Sequence, residues 1–497
     1  MGFELADLIY SKEKPLSHLR VAITALDLEQ SEHRGIAYLS KALITSLSDL
    51  GAEVYLLTGF SGRRLNSVMK RSMSSQSVSE IDCADIVDQL CHPITTANLF
   101  KKKAYSNQDL DFKSNLLNDL LRLKKRFHFI LGLIPSIIRF YLKRGLLSGQ
   151  LINLYNFENS PYFGEERVDY LTKVSGFLCI KDVYHLANLR SRRLLKKTPN
   201  IDLRKLNIDF LITSCPLCID VKTKNQNISS SIQLIMDFIP LSFSKHPDHP
   251  YRFYNRLKHA MKTKNCFISK ETRDKISFLL EKPCQTDDNN IIYPMPSINI
   301  NKLKLASRLN NIKDINNNYI LFNSSVVPRK NLHFLINIFQ SSGIASKGFD
   351  LCVAGKIHDD KYGASIKSIC QKDSSIKLLD YVDETEKAWL FLNAHAFVSP
   401  SCVEGFGIPV LDAATLGLRV LVSDLPSHRE IQNLTQASKN FRLLDLANID
   451  AWIYEFNLLA NLDLYIPDEI QNRLSNFTSS NTYLKKQFES KIMNLVT

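Results

Sequence analysis

Five short apolar runs, at 319–323 (YILFN), 349–354 (FDLCVA), 376–379 (IKLL), 396–399 (AFVS) and 419–423 (RVLVS), recur through the second half of the chain with helical stretches between them. Continuous apolar runs this short, bounded by turn residues, mark strands buried on both faces. The intervening helices, at about 332–340, 385–392 and 408–416, are the crossovers that parallel strands require. The N-terminal region opens the same way. An apolar run at 19–26 is followed by a polar loop containing Gly35, a helix at about 36–50, Gly51, and a second run at 52–58. That is the strand–helix–strand unit of a parallel sheet. Further runs at 176–180, 210–213, 232–235 and 266–269 continue the alternation. The expected architecture is two successive α/β domains that bind ligands at the carboxyl ends of their strands. The cleft between two such domains is the default site.

A polar stretch at 281–290 and a lysine- and asparagine-rich passage through Asn318 place the boundary between the domains. The reading is a first domain at 1–300, a second at 301–480, and a C-terminal helix at 481–497 that packs back on the first domain or stands free. Residues 63–158 break the pattern and read as a mostly helical, basic insertion, with Arg122, Lys124, Lys125 and Arg126 clustered in it. Arg190, Arg192, Arg193, Lys196 and Lys197 form a second cluster. Residues 127–142 (FHFILGLIPSIIRFYL), interrupted by Pro135 and Arg139, fit two descriptions. One is an amphipathic segment in peripheral contact with an anionic membrane; the other is a buried helical hairpin.

The excess of 63 Lys+Arg over 50 Asp+Glu, a formal +13, favours anionic partners without choosing among them. The charge is not interleaved with aromatic platforms or a recognition module, so nucleic acid is not an expected partner. A run of about 18 apolar residues is absent, which argues against a bilayer span. The N-terminus offers neither a basic n-region nor an apolar h-region, so the ten cysteines are expected as reduced thiols in the cytoplasm. Cys215 and Cys218 form the one close pair, without a second pair at zinc spacing.

The densest motif lies at 399–412 (SPSCVEGFGIPVLD). An apolar strand runs into a turn holding Glu404, Gly405, Phe406 and Gly407, and a helix follows with Pro409 in its first turn, where a missing N–H is harmless. The glycines bare the backbone, so amides and the positive helix end can face an anion. Glu404 is expected at the mouth of that site. Asp412 follows about two helical turns later, expected on roughly the same side. Taken alone, Glu-Gly-Phe-Gly is equally a tight turn with a helix-start carboxylate.

A longer passage at 399–431 (SPSCVEGFGIPVLDAATLGLRVLVSDLPSHREI) resembles the donor-site signature of the retaining glycosyltransferases of family 4, which have the GT-B fold: two Rossmann-like domains facing each other across a cleft. Residues 319–332 (YILFNSSVVPRKNL) resemble that family's strand and loop bearing a phosphate-binding lysine. Residues 234–241 (LIMDFIPL) and 267–275 (FISKETRDK) resemble its acceptor-side strand and following helix. The resemblance covers most of 231–431 and, more weakly, 19–58. It implies transfer of a hexose, mannose or glucose, from a nucleotide diphosphate sugar to a glycan or lipid-linked acceptor in surface polysaccharide synthesis. The co-substrate is the nucleotide sugar, with no further cofactor and no metal.

The resemblance also assigns roles. Glu404 would contact the donor sugar and steady charge at the anomeric carbon. The amides of Gly405, Phe406 and Gly407 would hold the sugar diphosphate, and Asp412 would bind the ribose. Lys330 and Arg329 would neutralise the leaving diphosphate, the largest electrostatic demand of the reaction. Gly35 would let the first domain's loop close over it, and Asp237 would lie on the acceptor side. Three positions depart from the family. Asp412 stands where Glu is usual, Ser325 where many relatives carry a phosphate-binding arginine, and Met236 where many carry a sugar-touching histidine. The last two keep open a second reading, a non-catalytic nucleotide-sugar-binding protein of the same fold.

Overall fold

The computed structural model of the chain describes residues 14–24, 28, 35–59, 134–154, 169–223, 231–243, 248–281, 288–305, 315, 318–437, 439–461 and 466–496. The chain forms two compact units. Met1–Ile235, Asp248–Cys266 and Ile492–Thr497 make the first, and Met236–Pro247 with Phe267–Lys491 the second.

Among the described residues the first unit carries ten strands: β1 (Arg20–Thr24), β2 (Glu53–Thr58), β3 (Leu146–Ser148), β4 (Gln150–Asn153), β5 (Gly176–Cys179), β6 (Asn200–Asp202), β7 (Phe210–Thr213), β8 (Asp220–Lys222), β9 (Ser231–Ile235) and β10 (Lys264–Phe267). Seven of them form one sheet in the order β10-β9-β7-β1-β2-β5-β4. Its middle is parallel, with Arg20 opposite Glu53 and Val21 opposite Phe210. Helices α1 (Gly35–Asp49), α2 (Val183–Ser191) and α3 (Pro250–Ala260) belong to this unit. Val21, Ala22, Ile23, Leu56 and Leu57 are fully buried, as strands sandwiched between helices must be.

The expected basic helical insertion lies largely outside the described residues, including its cluster at 122–126. Its described end corrects the expectation in part. Residues 134–142 are helical, but Arg144 and Gly145 then take positive φ angles of 53° and 89° and end the helix. Two strands follow. β4 joins the sheet as an antiparallel edge on β5. Gly176 permits this approach, because a Cβ there would lie 2.8 Å from Asn153 Cα and closer still to the Ile152 carbonyl oxygen. β3 instead pairs with β6, and β6 with β8, in a separate small parallel sheet.

The second unit holds β11 (Asn318–Asn323), β12 (Phe349–Ala354), β13 (Ile376–Asp380), β14 (Ala396–Ser399), β15 (Arg419–Ser423) and β16 (Phe441–Leu444). Their order in the sheet is β13-β12-β11-β14-β15-β16, parallel throughout. Counted from β11, that is the 3-2-1-4-5-6 order of the Rossmann fold. Its longer helices are α4 (Lys270–Leu280), α5 (Leu332–Ser342), α6 (Lys361–Cys370), α7 (Glu384–Asn393), α8 (Ile408–Thr415), α9 (Pro426–Thr435), α10 (Ile449–Ala460) and α11 (Ile466–Val496). One core cluster joins Ile320, Phe322, Leu351 and Val353 of the sheet to Leu335 and Phe339 of α5 and to Trp452 and Phe456 of α10. α7 starts with a complete capping box between Asp383 and Glu386. The last residues of α11 are grouped with the first unit, where Lys264 Nζ donates to the Leu495 carbonyl at 2.6 Å.

Candidate functional site at the switch point of the second sheet

β11 and β14 lie side by side, yet the chain continues from β11 toward β12 on one side and from β14 toward β15 on the other. The loops at their carboxyl ends therefore diverge and leave a crevice, the place where doubly wound sheets bind ligands. One loop, 324–331, carries Ser325, Arg329 and Lys330. The other, 400–407, carries Glu404, Gly405, Phe406 and Gly407. A backbone bond ties them, with Cys402 N donating to the Arg329 carbonyl at 2.8 Å.

Three ionised groups meet across this tie. Lys330 Nζ pairs with Glu404 Oε1, and Arg329 NH1 pairs with Glu404 Oε2 at 3.0 Å. Ser401 Oγ donates to Glu404 Oε1 at 2.8 Å. Glu404 is expected at the mouth of an anion site, and here the structure differs. Its side chain is buried, 8% exposed, because three donors converge on it. Lys330 is 6% exposed. Burial by itself would raise the Glu404 pKa; the charges of Lys330 and Arg329 outweigh it and hold the carboxyl down at about 2. Burial works against the Lys330 ammonium as well and lowers it from 10.5 to about 8, with Glu404 pulling the other way. Two cations share one carboxylate, so the cluster keeps one positive charge unbalanced. Arg329 is partly exposed, so an anion arriving from solvent can reach that excess charge and balance it.

The glycine turn is shaped by close packing. A Cβ on Gly405 would stand 2.6 Å from both the Met236 carbonyl oxygen and Asp237 Cβ, so no side chain fits there. Gly407 has φ +114°, a conformation that L side chains avoid. It directly precedes α8, where Pro409 has no N–H to satisfy and the Val410 and Leu411 amides donate to the Gly407 carbonyl. Phe406 is buried and stacks on Tyr293 at 5.7 Å between ring centroids, which anchors the turn from below and leaves its backbone to act. Asp237 accepts from Ile239 N at 3.0 Å and so starts a short helical turn at 239–242. Ser325 shares the Lys330 loop, its amide against Gly355.

Two expected members of the site stand apart. Asp412 is fully buried and faces Ser297: Ser297 N donates to Oδ1 at 2.6 Å and Ser297 Oγ to Oδ2 at 2.5 Å. Lys387 Nζ in turn donates to Ser297 Oγ at 2.9 Å. Glu404 and Asp412 thus share no partner among these bonds, and Asp412 holds the segment at Ser297 instead of standing open for a ribose. Burial raises its pKa against the pull of Lys387 and Ser297. Gly35 begins α1 in the first unit, and residues 29–34 before it lie outside the described residues.

Several residues that sequence reasoning gave no role surround the crevice. Ser423 Oγ donates to the Ser401 carbonyl at 2.6 Å, and Ser399 and Ser401 hydroxyls lie 3.1 Å apart, which fixes Ser401 under Glu404. His428, fully buried at the start of α9, contacts the Ser423 carbonyl through Nδ1 at 2.7 Å. Helices α4 and α9 exchange carboxylates at their N-termini. Glu430 accepts from Lys270 N at 2.8 Å and Glu271 N at 2.9 Å, and Glu271 accepts from Ser427 N at 3.0 Å. Each acid meets the positive end of the other's helix. A Glu in the first turn of α4 was visible in the sequence, but its partner helix was not.

Residues 306–453 match the family model of glycosyl transferases group 1, a span that contains Lys330, Glu404, Asp412 and His428. The chain is 29% identical over 115 residues to O-antigen chain mannosyltransferase B of Escherichia coli, and 30% identical over 117 residues to O-antigen chain mannosyltransferase RfbU of Salmonella typhimurium. Each match covers 23% of this chain, and 30% and 32% of the respective relatives, so the chain spans about a third of the curated relatives' length. The sucrose-phosphate synthase of Thermosynechococcus elongatus superposes over 96% of this chain and 98% of its own, with 12% identity and a TM-score of 0.50. The chain has the GT-B fold of the glycosyltransferases, with the group 1 match lying over the Rossmann sheet that carries the charged crevice.

Proposed function

We infer that the chain is a glycosyltransferase that takes a hexose, of mannose or glucose type, from a nucleotide diphosphate sugar and passes it to a glycan or lipid-linked acceptor in surface polysaccharide synthesis, with retention and without a metal. The observation that carries this reading is the unbalanced positive charge of Arg329, Lys330 and Glu404 at the sheet's switch point, beside a glycine turn at a helix start. A sugar diphosphate is the ligand that such a site neutralises. Lys330 and Arg329 would stabilise the charge that grows on the diphosphate as the glycosyl bond breaks. Glu404, held ionised, would keep the two cations in place and face the positive charge developing on the sugar. The two O-antigen mannosyltransferases among the relatives support a polysaccharide acceptor.

A peripheral contact with the anionic inner face of the cytoplasmic membrane fits the same reading. In the helical stretch 134–142 of the first unit, Ile134, Ile138, Tyr141 and Leu142 are exposed, the last at 79%, beside Arg139, Lys143 and Arg144. Apolar side chains among cations suit an anionic bilayer surface. Among the described residues, no helix is long and apolar enough to cross a membrane. The direct test is incubation of the folded protein with a panel of labelled nucleotide sugars. Transfer or slow hydrolysis with one of them is expected, and inertness toward all of them overturns the reading.

A further inference from the structure

His428 is fully buried at the start of α9. The Ser423 carbonyl can only accept, so Nδ1, 2.7 Å away, carries the hydrogen. Burial lowers the ring's pKa and keeps it neutral. Nε2 is then a bare acceptor, and it is buried without a hydrogen-bond partner. Such an orphan lowers stability and is retained where something supplies the missing partner. The ring edge faces the backbone of Gly407. A Cβ there would lie 3.4 Å from both Cδ2 and Nε2. The unpartnered acceptor therefore adjoins the glycine turn, and the charges of Glu404 and Lys330 act on the same ring.

What could complete it is restricted by chemistry. Ionised diphosphate oxygens carry no hydrogen and would oppose the lone pair. The nearest hydrogen-bearing groups on a nucleotide sugar seated at this turn are sugar hydroxyls. We propose that His428 is a donor-binding residue whose Nε2 accepts a hydrogen bond from a hydroxyl of the hexose, and so reads the sugar rather than the nucleotide. This rests on the reading of the chain as a nucleotide-sugar enzyme.

The experiment compares wild type with His428→Asn and His428→Gln, using calorimetric titrations of UDP-glucose, GDP-mannose, UDP and GDP, with apo melting curves as a folding control. Asn keeps a donor near the Nδ1 position and loses the distal acceptor; Gln can bring a carbonyl oxygen toward the Nε2 position. Asn is expected to weaken the preferred nucleotide sugar roughly tenfold, as loss of one buried hydrogen bond does. The free diphosphate should bind unchanged, and Gln should restore part of the loss. Independently of any variant, monodeoxy donors titrated into wild type should single out one hydroxyl whose removal has the same effect, and that effect should vanish in His428→Asn. Equal loss for sugar and free diphosphate would assign Nε2 to the ribose or to folding, and it overturns the proposal. So does no loss for either, the result expected if a buried water alone meets Nε2. A wild type that binds the free diphosphates and no nucleotide sugar sinks the functional reading itself, a result distinct from either.

Discussion

Replacing Lys330 by Met tests whether the buried cluster behaves as a unit. Lys330 and Glu404 are 6% and 8% exposed and pair directly, so Lys330→Met leaves a buried carboxylate short of one cation. Breaking a buried pair in this way costs about 3–5 kcal/mol when nothing else compensates. Arg329 at 3.0 Å and Ser401 at 2.8 Å remain, so the lower end, about 3 kcal/mol, is expected. For a unit of this size that is a fall in Tm of roughly 6–12 °C. Glu404→Gln strands the ammonium instead, and its effect should depend on pH. Lys330 already titrates near 8 in the folded protein against about 10.4 unfolded. Between those values the unfolded chain holds more protons, so this group makes stability rise with pH. Losing Glu404 removes the attraction that keeps the proton on, and the penalty should be larger at pH 6 than at pH 9. The double variant Lys330→Met with Glu404→Gln removes both charges. Denaturant titration should find it more stable than the summed single effects by about 2 kcal/mol or more. Additivity within about 0.5 kcal/mol would show that the two side chains do not act together, and the reasoning would fail.

Other consequences follow from the same geometry. Transfer should decline on the alkaline side with an apparent pKa near 8 as Lys330 loses its proton, and Lys330→Arg, if it retains turnover, should move that limb upward; an unmoved limb assigns it elsewhere. Gly405→Ala must displace the Met236 carbonyl or Asp237, so it should lower stability by about 1–3 kcal/mol in denaturant titrations and weaken diphosphate binding. Vesicles carrying anionic lipid should retain the protein in sedimentation assays, and Ile138→Asp with Leu142→Asp should release it; equal retention by neutral vesicles would count against the surface at 134–142.

The central strands were legible because they are continuous apolar runs: β12, β14 and β15 begin and end where the sequence places them, and β11 and β13 within a residue. Short strands were not. β3, β6, β8 and β16 run three or four residues with polar members, and only their neighbours make them strands. The candidate site divides in the same way. Glu404, Lys330 and the glycines were visible through motif and resemblance, but the pairing of residues 74 positions apart comes from the 3-2-1-4-5-6 order of the sheet. Reading Asp412 by helical spacing alone misses Ser297, more than a hundred residues earlier, which takes both of its oxygens. His428 gave no signal at all. One histidine at a helix start is ordinary, and its importance arises from an unpartnered nitrogen that only coordinates reveal.

Where a diphosphate sits decides whether the charged crevice is the donor site. A crystal structure of the protein with GDP or UDP should show phosphate oxygens within hydrogen-bonding reach of Lys330 or Arg329 and of the amides at 405–407. A diphosphate bound elsewhere, with the Arg329–Glu404–Lys330 cluster unchanged and untouched, would contradict it.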